Sequence, residues 1–332
     1  MRLKIALLRA FLFPVDLMLR VIGPNYRLFY AFFAIAPPAF VSWLARLRTI
    51  RAVDHAVRRV PAYRAFLQSH NVDTDSATRT LALPPTDKAS YVNLYAPEKR
   101  CIGGVLPLHG TTIDESSGST GTPYNWVRSL HERRASHHFV SHFARYCFGD
   151  APWITINAFS MGAWATGINM GIALQSNSMI KNTGPDLNKI FSTLAFFGPD
   201  YSYLVCGYPP FLKEMIDVAA ERGFPLARYR LMALLGGEGN SEGLRDYLSQ
   251  VFHPIYSGYG ATDIEIGIAG ETPSSLAIRR QARTDTQLRH ALFGADSRLP
   301  MLFQYIENYH SPFIGNTPNH LRYQRFHSWI NG

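Results

Sequence analysis

The chain has 332 residues, 47% of them hydrophobic and 17% charged, which supports one large or two smaller globular domains and excludes a disordered polyelectrolyte. Its formal net charge of +9 favours anionic partners such as nucleotides or anionic lipid, and without helix-turn-helix, zinc-finger or aromatic RNA-binding patterns, nucleic acid is not an expected partner. Cys101, Cys147 and Cys206 are odd in number and far apart, so neither a disulfide framework nor a structural zinc site is expected, and a reducing cytosol fits.

Residues 1–50 read as an apolar helical segment. Arg2, Arg9, Asp16 and Arg20 recur at spacings of seven, seven and four, which on a helix makes one narrow polar stripe against a wide apolar surface. Pro14 would bend that helix. No residue from Leu28 to Ala45 is charged, but Pro37-Pro38 in the middle speaks against an uninterrupted spanning helix. Arg9 and the lack of an Ala-x-Ala site speak against a signal peptide. Three readings stay open: helices packed on a catalytic domain, an anchor through residues 1–45 on an anionic inner-membrane surface, and a true span.

From Arg46 to His70 the pattern is helical and contains Pro61-Ala62-Tyr63-Arg64. A polar connection, 73–80, leads to Leu83-Pro84-Pro85-Thr86-Asp87-Lys88. Ser116-Ser117-Gly118-Ser119-Thr120-Gly121-Thr122-Pro123 then follows a predicted strand. Its glycines let backbone N–H groups approach an anion, and its hydroxyls add donors. It lacks the Gly-Lys-Ser/Thr ending of a P-loop NTPase. A helix is predicted over Val127–Phe148, its N-terminus towards bound phosphate. His131, His138 and His142 line up along it, with no carboxylate or thiol to complete a metal site.

Strands are predicted at Trp153–Ile156, from Tyr203 and at Leu231–Leu235, and helices at Phe211–Arg222, Ser241–Phe252 and Thr272–Phe293. The last takes Thr272 as N-cap, Pro273 in its first turn and Gly294 past its end. Leu299–Tyr305 reads as a further strand. This βαβα alternation predicts an α/β fold with mainly parallel strands covered by helices. Phe159 and Trp164 fit plain core aromatics by pattern. Gly236-Gly237-Glu238-Gly239 and Tyr259-Gly260-Ala261-Thr262-Asp263 both follow predicted strands, where open α/β sheets place ligands.

The serine- and glycine-rich stretch resembles the ATP-phosphate loop of adenylate-forming enzymes, nearest in pattern to the phenylacetate-CoA ligase and capsule-biosynthesis (CapK-like) branch. The Pro61-Ala62-Tyr63-Arg64 and Leu83–Lys88 segments resemble that branch's Pro-x-Tyr-Arg and Leu-Pro-x-Thr-Asp-Lys elements. Tyr124 stands where most relatives carry a lysine. The resemblance covers roughly Val60 to Tyr305 and implies an ATP/AMP-binding, Mg2+-dependent ligase core. By that resemblance, Ser116, Ser117, Gly118, Ser119, Thr120 and Gly121 hold the ATP phosphates. Gly237, Glu238 and Gly239 lie along the adenine, with Tyr259, Gly260 and Ala261 completing its platform. Thr262 contacts the α-phosphate, and Asp263, a residue shorter by one methylene than the usual Glu, holds the metal, with Glu265 as a substitute. The same resemblance makes Phe159 and Trp164 candidate walls of an acyl pocket.

The implied domains are the apolar segment 1–50, an adenylate-forming core at 51–305 and an irregular tail at 306–332, with the C-terminal catalytic domain of such enzymes missing. Leu321-Arg322-Tyr323 resembles the tripeptide before the ribose-binding Asp, but His327 stands where that Asp is expected. The implied activity is ATP-dependent conversion of a carboxylic acid to an acyl-adenylate, with CoA or another acceptor, in the cytoplasm and peripheral to the inner membrane. The alternatives are a catalytically impaired nucleotide-binding or membrane-associated scaffold, and acyl transfer to a sugar or protein acceptor in surface-polysaccharide assembly.

Overall fold

The structure, a computed structural model, describes residues 2–73, 81, 83–116, 123–294, 299–305 and 322–325. The chain divides into two compact units, one containing Met1–Thr111 and the other Thr112–Tyr305 with a strand from the tail. The residue-50 boundary expected from sequence falls inside a helix of the first unit.

The first unit is helical: α1 (Arg2–Ile22), α2 (Tyr26–Ile35), α3 (Pro38–Arg59) and α4 (Pro61–Ser69). Asn25 starts α2 by accepting from Leu28 N–H at 3.1 Å. Pro37-Pro38 ends it, because the first proline lacks a donor and the second suits the opening turn of α3. The two helices meet at 110°, and no single helix among the described residues is long and apolar enough to cross a membrane. Pro14 lies within α1, which continues on both sides of it. The middle of the α1 polar stripe faces α3: Arg9 pairs with Asp54 at 3.0 Å, and Asp16 with Arg48 at 3.5 Å and with Arg51. Val53 and Val57 of α3 and Phe66 and Leu67 of α4 form a small core with Tyr63, Leu83 and Tyr91.

In the second unit, β1 (Thr111–Glu115) and β2 (Asn125–Ser129) form a two-stranded sheet, followed by α5 (Leu130–Phe148). Then come β3 (Ile154–Asn157), α6 (Ala165–Leu174), β4 (Met179–Asn182), α7 (Leu187–Phe197), β5 (Ser202–Gly207), α8 (Pro209–Glu221), β6 (Arg230–Leu235) and α9 (Glu242–Leu248). The unit ends with β7 (Phe252–Ala261), β8 (Glu265–Gly270), α10 (Pro273–Thr284), α11 (Thr286–Phe293), β9 (Leu302–Tyr305) and β10 (Arg322–Arg325). The strands order as β10-β9-β8-β7-β6-β5-β3-β4. All neighbours pair in parallel except β8, which runs antiparallel to both β7 and β9.

The central strands are apolar on both faces, as a sheet covered on both sides requires. Ile154, Ile156, Tyr203, Val205, Leu231 and Ala233 pack against α7, α8 and α9. The alternate residues Leu204, Cys206 and Leu234 face Val140 and Ala144 of α5 and Ala173 and Leu174 of α6. The two-residue period thus sends successive side chains into two separate cores.

Three predicted helices need correction. The helix expected from Val127 starts at Leu130, because Asn125–Ser129 is strand and the Ser129 hydroxyl accepts from Glu132 N–H at 3.2 Å. The helix expected to reach Phe252 stops at Leu248, and Phe252 already belongs to β7. The single helix expected over Thr272–Phe293 is two, since Asp285 is non-helical and caps α11 through Leu288 N–H at 2.9 Å. Within 306–332 the described residues are those of β10, so the Leu321 and His327 comparisons fall on undescribed positions.

Candidate nucleotide site

The phosphate-loop candidates Ser117, Gly118, Ser119, Thr120 and Gly121 lie outside the described residues, but the stem that carries them is visible. Ser116 N–H donates to Tyr124 O at 2.9 Å, and Tyr124 N–H donates to the Ser116 hydroxyl at 2.9 Å. The loop therefore springs from β1 and returns into β2. It does not run directly into α5, so the helix N-terminus expected beside the phosphate is separated from the loop by a strand.

Two arginines join this stem to the turn after β7. Arg133 of α5, only 2% exposed, pairs with Asp114 at the end of β1 and with Glu265 at the start of β8, the latter at 2.5 Å. Arg128 of β2 donates to Thr262 O at 2.5 Å and to Glu132 at 3.0 Å. Burial lowers the Arg133 guanidinium from its usual value and the Glu265 carboxylate opposes that, so the arginine stays charged. Glu265 also accepts from Ile266 N–H at 2.8 Å. It is a buried structural partner, which removes it as the substitute metal ligand. Asp263 is exposed at the tip of the turn, with no hydrogen bond or ion pair among the described residues.

Gly236–Gly239 continues the end of β6, and Tyr259–Ala261 closes β7 beside it. Gly237 has φ +84, and a Cβ there would meet the Tyr208 ring at 2.1 Å. Both the turn and the close approach require glycine. The Tyr208 phenol is pushed up by burial and, secondarily, by the Glu238 carboxylate, so it stays protonated near neutrality. The Tyr259 ring lies 5.6 Å from that of Phe303.

These elements border a cavity of about 770 Å3, lined by Gly237, Glu238, Gly239, Tyr259 and Gly260, with Arg279 of α10 in its wall. A smaller apolar cavity of about 80 Å3 shares Gly237, Tyr259 and Gly260. Phe139, Phe143, Phe159 and Met170 line it, Thr262 lies at its edge, and none of its lining residues is charged. Phe159 is thus a wall residue. Trp164 lines neither of these two cavities; it is 42% exposed, caps α6 and bridges to Glu115 of β1.

Under the larger cavity lies a charge cluster that the sequence reading missed. Glu271, 0% exposed, accepts from Arg245 at 2.6 Å, Arg279 at 3.2 Å and Ser257 N–H at 3.0 Å. It thereby ties α9 and α10 to β7 just before Tyr259. The signal was present in the sequence: Arg245 and Arg279 fall on the core-facing sides of their predicted helices, where a cation needs a buried partner. The helix α5 histidines do not gather. The His138 and His142 rings lie 6.3 Å apart, His131 is exposed, and no metal-binding group of three side chains occurs among the described residues. His137 carries the structural contact, donating from Nε2–H to Asn169 Oδ1 at 2.8 Å.

No family model and no curated protein matches the chain. Among solved structures, 2-hydroxyisobutyryl-CoA ligase with 2-HIB-AMP and CoA in its thioesterification state matches 73% of this chain at 14% identity and a TM-score of 0.64. The open conformation of that ligase, with the same ligands, matches 69% at 14% identity and a TM-score of 0.58. Its postadenylation state with R3-HIB-AMP matches 74% at 11% identity and a TM-score of 0.60. The chain spans about half the length of these structures, covering 55% of the open form and 54% of each of the others. At such identities the likeness is one of fold: the chain has the architecture of the adenylate-forming enzyme core.

Proposed function

We propose that this chain binds ATP and a carboxylic acid and joins them as an acyl-adenylate. The observation that carries the reading is the pair of arginine bridges, which fastens the stem of a serine- and glycine-rich loop to the Thr262–Asp263 turn beside a nucleotide-sized cavity. An ionised carboxylate needs no general base. One of its oxygens attacks the α-phosphorus of ATP in line, the bond to the bridging oxygen breaks, and pyrophosphate leaves with that electron pair. Adenine lies between Tyr259 and the Gly237–Gly239 turn. Ser116, Ser117, Ser119, Thr120 and the loop N–H groups hold the β- and γ-phosphates, and Thr262 orients the α-phosphate.

Mg2+ suits the exposed carboxylate of Asp263, because this cation is commonly held by one or two carboxylates together with substrate phosphates. When bound it neutralises charge on the departing pyrophosphate. The small uncharged cavity beside Thr262 fits a compact neutral acyl group and offers no countercharge to a second carboxylate or an amine. We assign the chain, on its sequence motifs, to the phenylacetate-CoA ligase and capsule-biosynthesis side of these enzymes. CoA is the first acceptor to test and a sugar the second, with the work done on the cytoplasmic side at a membrane surface.

Equilibrium binding of ATP to the purified chain, with and without Mg2+, tests the site. Asp263→Ala is expected to lose the Mg2+-dependent part of the affinity, roughly 10-fold or more, while circular dichroism is unchanged. Unchanged Mg2+ dependence in the variant removes Asp263 from this role.

A further inference from the structure

The first unit turns one helix inside out. The central charges of α1, Arg9 and Asp16, point at α3 and are paired there. Leu12 and Leu19 are buried beside them. Most of what α1 shows outward is apolar: Leu7, Phe11, Phe13, Leu17, Met18 and Val21, with Phe13 68% and Val21 67% exposed. At helical spacing these six fall in one arc of roughly 160°. The arc continues onto the α2–α3 elbow, where Leu28, Tyr30, Ile35, Phe40 and Trp43 are exposed, Ile35 to 81%. The Phe11 ring meets Trp43 edge-on at 5.6 Å and Phe40 lies 5.9 Å from the same ring, so the patch is continuous across α1 and α3. Water is a poor solvent for such a face.

Its rim is basic. Arg20, Arg27 and Arg46 are exposed and have no ion-pair partner among the described residues. A second copy docked symmetrically would bring these like charges towards one another, whereas anionic headgroups would neutralise them. Exposed Trp and Tyr suit the boundary between headgroups and acyl chains. We propose that residues 7–46 are a docking face for an anionic lipid bilayer. The apolar arc and the elbow enter one leaflet, and the three arginines sit at headgroup level. The 110° bend keeps the segment in that leaflet and does not carry it across. The proposal rests on the first unit alone and is independent of the adenylation reading.

Co-sedimentation of the full chain with phosphatidylcholine vesicles, with and without phosphatidylglycerol, tests it. Binding is expected to the phosphatidylglycerol vesicles and to fall with salt. Arg20→Gln, Arg27→Gln and Arg46→Gln together leave the apolar face intact and are expected to weaken binding roughly five-fold per arginine. Phe13→Glu with Leu17→Glu is expected to weaken it roughly 100-fold or more. ATP binding, read on the same samples, reports the second unit separately and is expected to be unchanged. A chain that stays in the supernatant with both vesicles overturns the proposal. So does a soluble dimer that Phe13→Glu with Leu17→Glu dissociates, which would assign the face to self-association. Equal binding by the triple arginine variant overturns the requirement for anionic lipid.

Discussion

Arg245, Glu271 and Arg279 of the second unit lie within 6% of full burial beneath a cavity, while Arg9 and Arg58 of the first unit pair with buried Asp54 from positions 49% and 41% exposed. Both regions use arginine and a buried carboxylate to lock helices, but around them the apolar side chains go opposite ways. In the second unit they fill two cores on either face of the sheet. In the first, a large share of them points outward from α1. A buried ion pair is thus a positioning device in both units, and its worth depends on how completely the partner that remains would be stranded.

The comparison breaks most sharply at Glu271. Glu271→Ala leaves buried Arg245 without its carboxylate and Arg279 with Glu242 alone, at 2.9 Å, and chemical denaturation is expected to show a loss of about 3 kcal/mol. A loss below about 1 kcal/mol would mean that water reaches these arginines readily. Gly237→Ala tests the cavity wall without touching charge. The new Cβ meets the Tyr208 ring and the backbone is held at φ +84, for an expected cost of about 1–3 kcal/mol and weakened ATP binding. Tyr208→Ala in the same chain should restore part of that binding, which backbone strain alone would not allow. Asp54→Ala is the counterpart of Glu271→Ala in the first unit. Its partners are already half in water, so the expected loss is about 1–2 kcal/mol.

The smallest effect is a pH dependence. Burial lowers His137 from the usual 6.5, with Asn169 only partly opposing, and burial lowers His138 also. The unfolded chain therefore takes up protons first as pH falls, so this contribution to stability is present above about 6.5 and lost as pH drops through the lower folded values. Stability measured from pH 7 down to about 5 should decline less steeply in His137→Gln. An unaltered slope would show that other groups govern it.

Part of the sheet was legible, because β3, β5 and β6 are short apolar runs beside clear turn residues, as at Leu231–Leu235 and Tyr203–Gly207; β4, a largely exposed strand without an apolar run, and β8 were not predicted. Gly236–Gly239 and Tyr259–Asp263 stood out by their resemblance to family motifs and by following predicted strands, and the structure puts them at the ends of β6 and β7. What escaped depended on partners distant in sequence. Nothing local marks Asn125–Ser129 as a strand, since its pairing with β1 decides it. Likewise Arg133 reads as one more charge on a helix until Asp114 and Glu265 close on it. The α1 stripe was visible by spacing, but spacing cannot say which face turns inward. The paired charges of Arg9 and Asp16 decided that question, against the usual expectation of charge outward.

In the proposed function, the loop stem, the glycine turn and the Thr262–Asp263 turn together make an adenylating site. Exchange of labelled pyrophosphate into ATP by the purified chain, with Mg2+ and a panel of small neutral aliphatic and aryl acids, tests it most directly. Exchange is expected with one class of small uncharged acid and is expected to be lost in Asp263→Ala. No exchange with any acid, together with no measurable ATP binding, would contradict it.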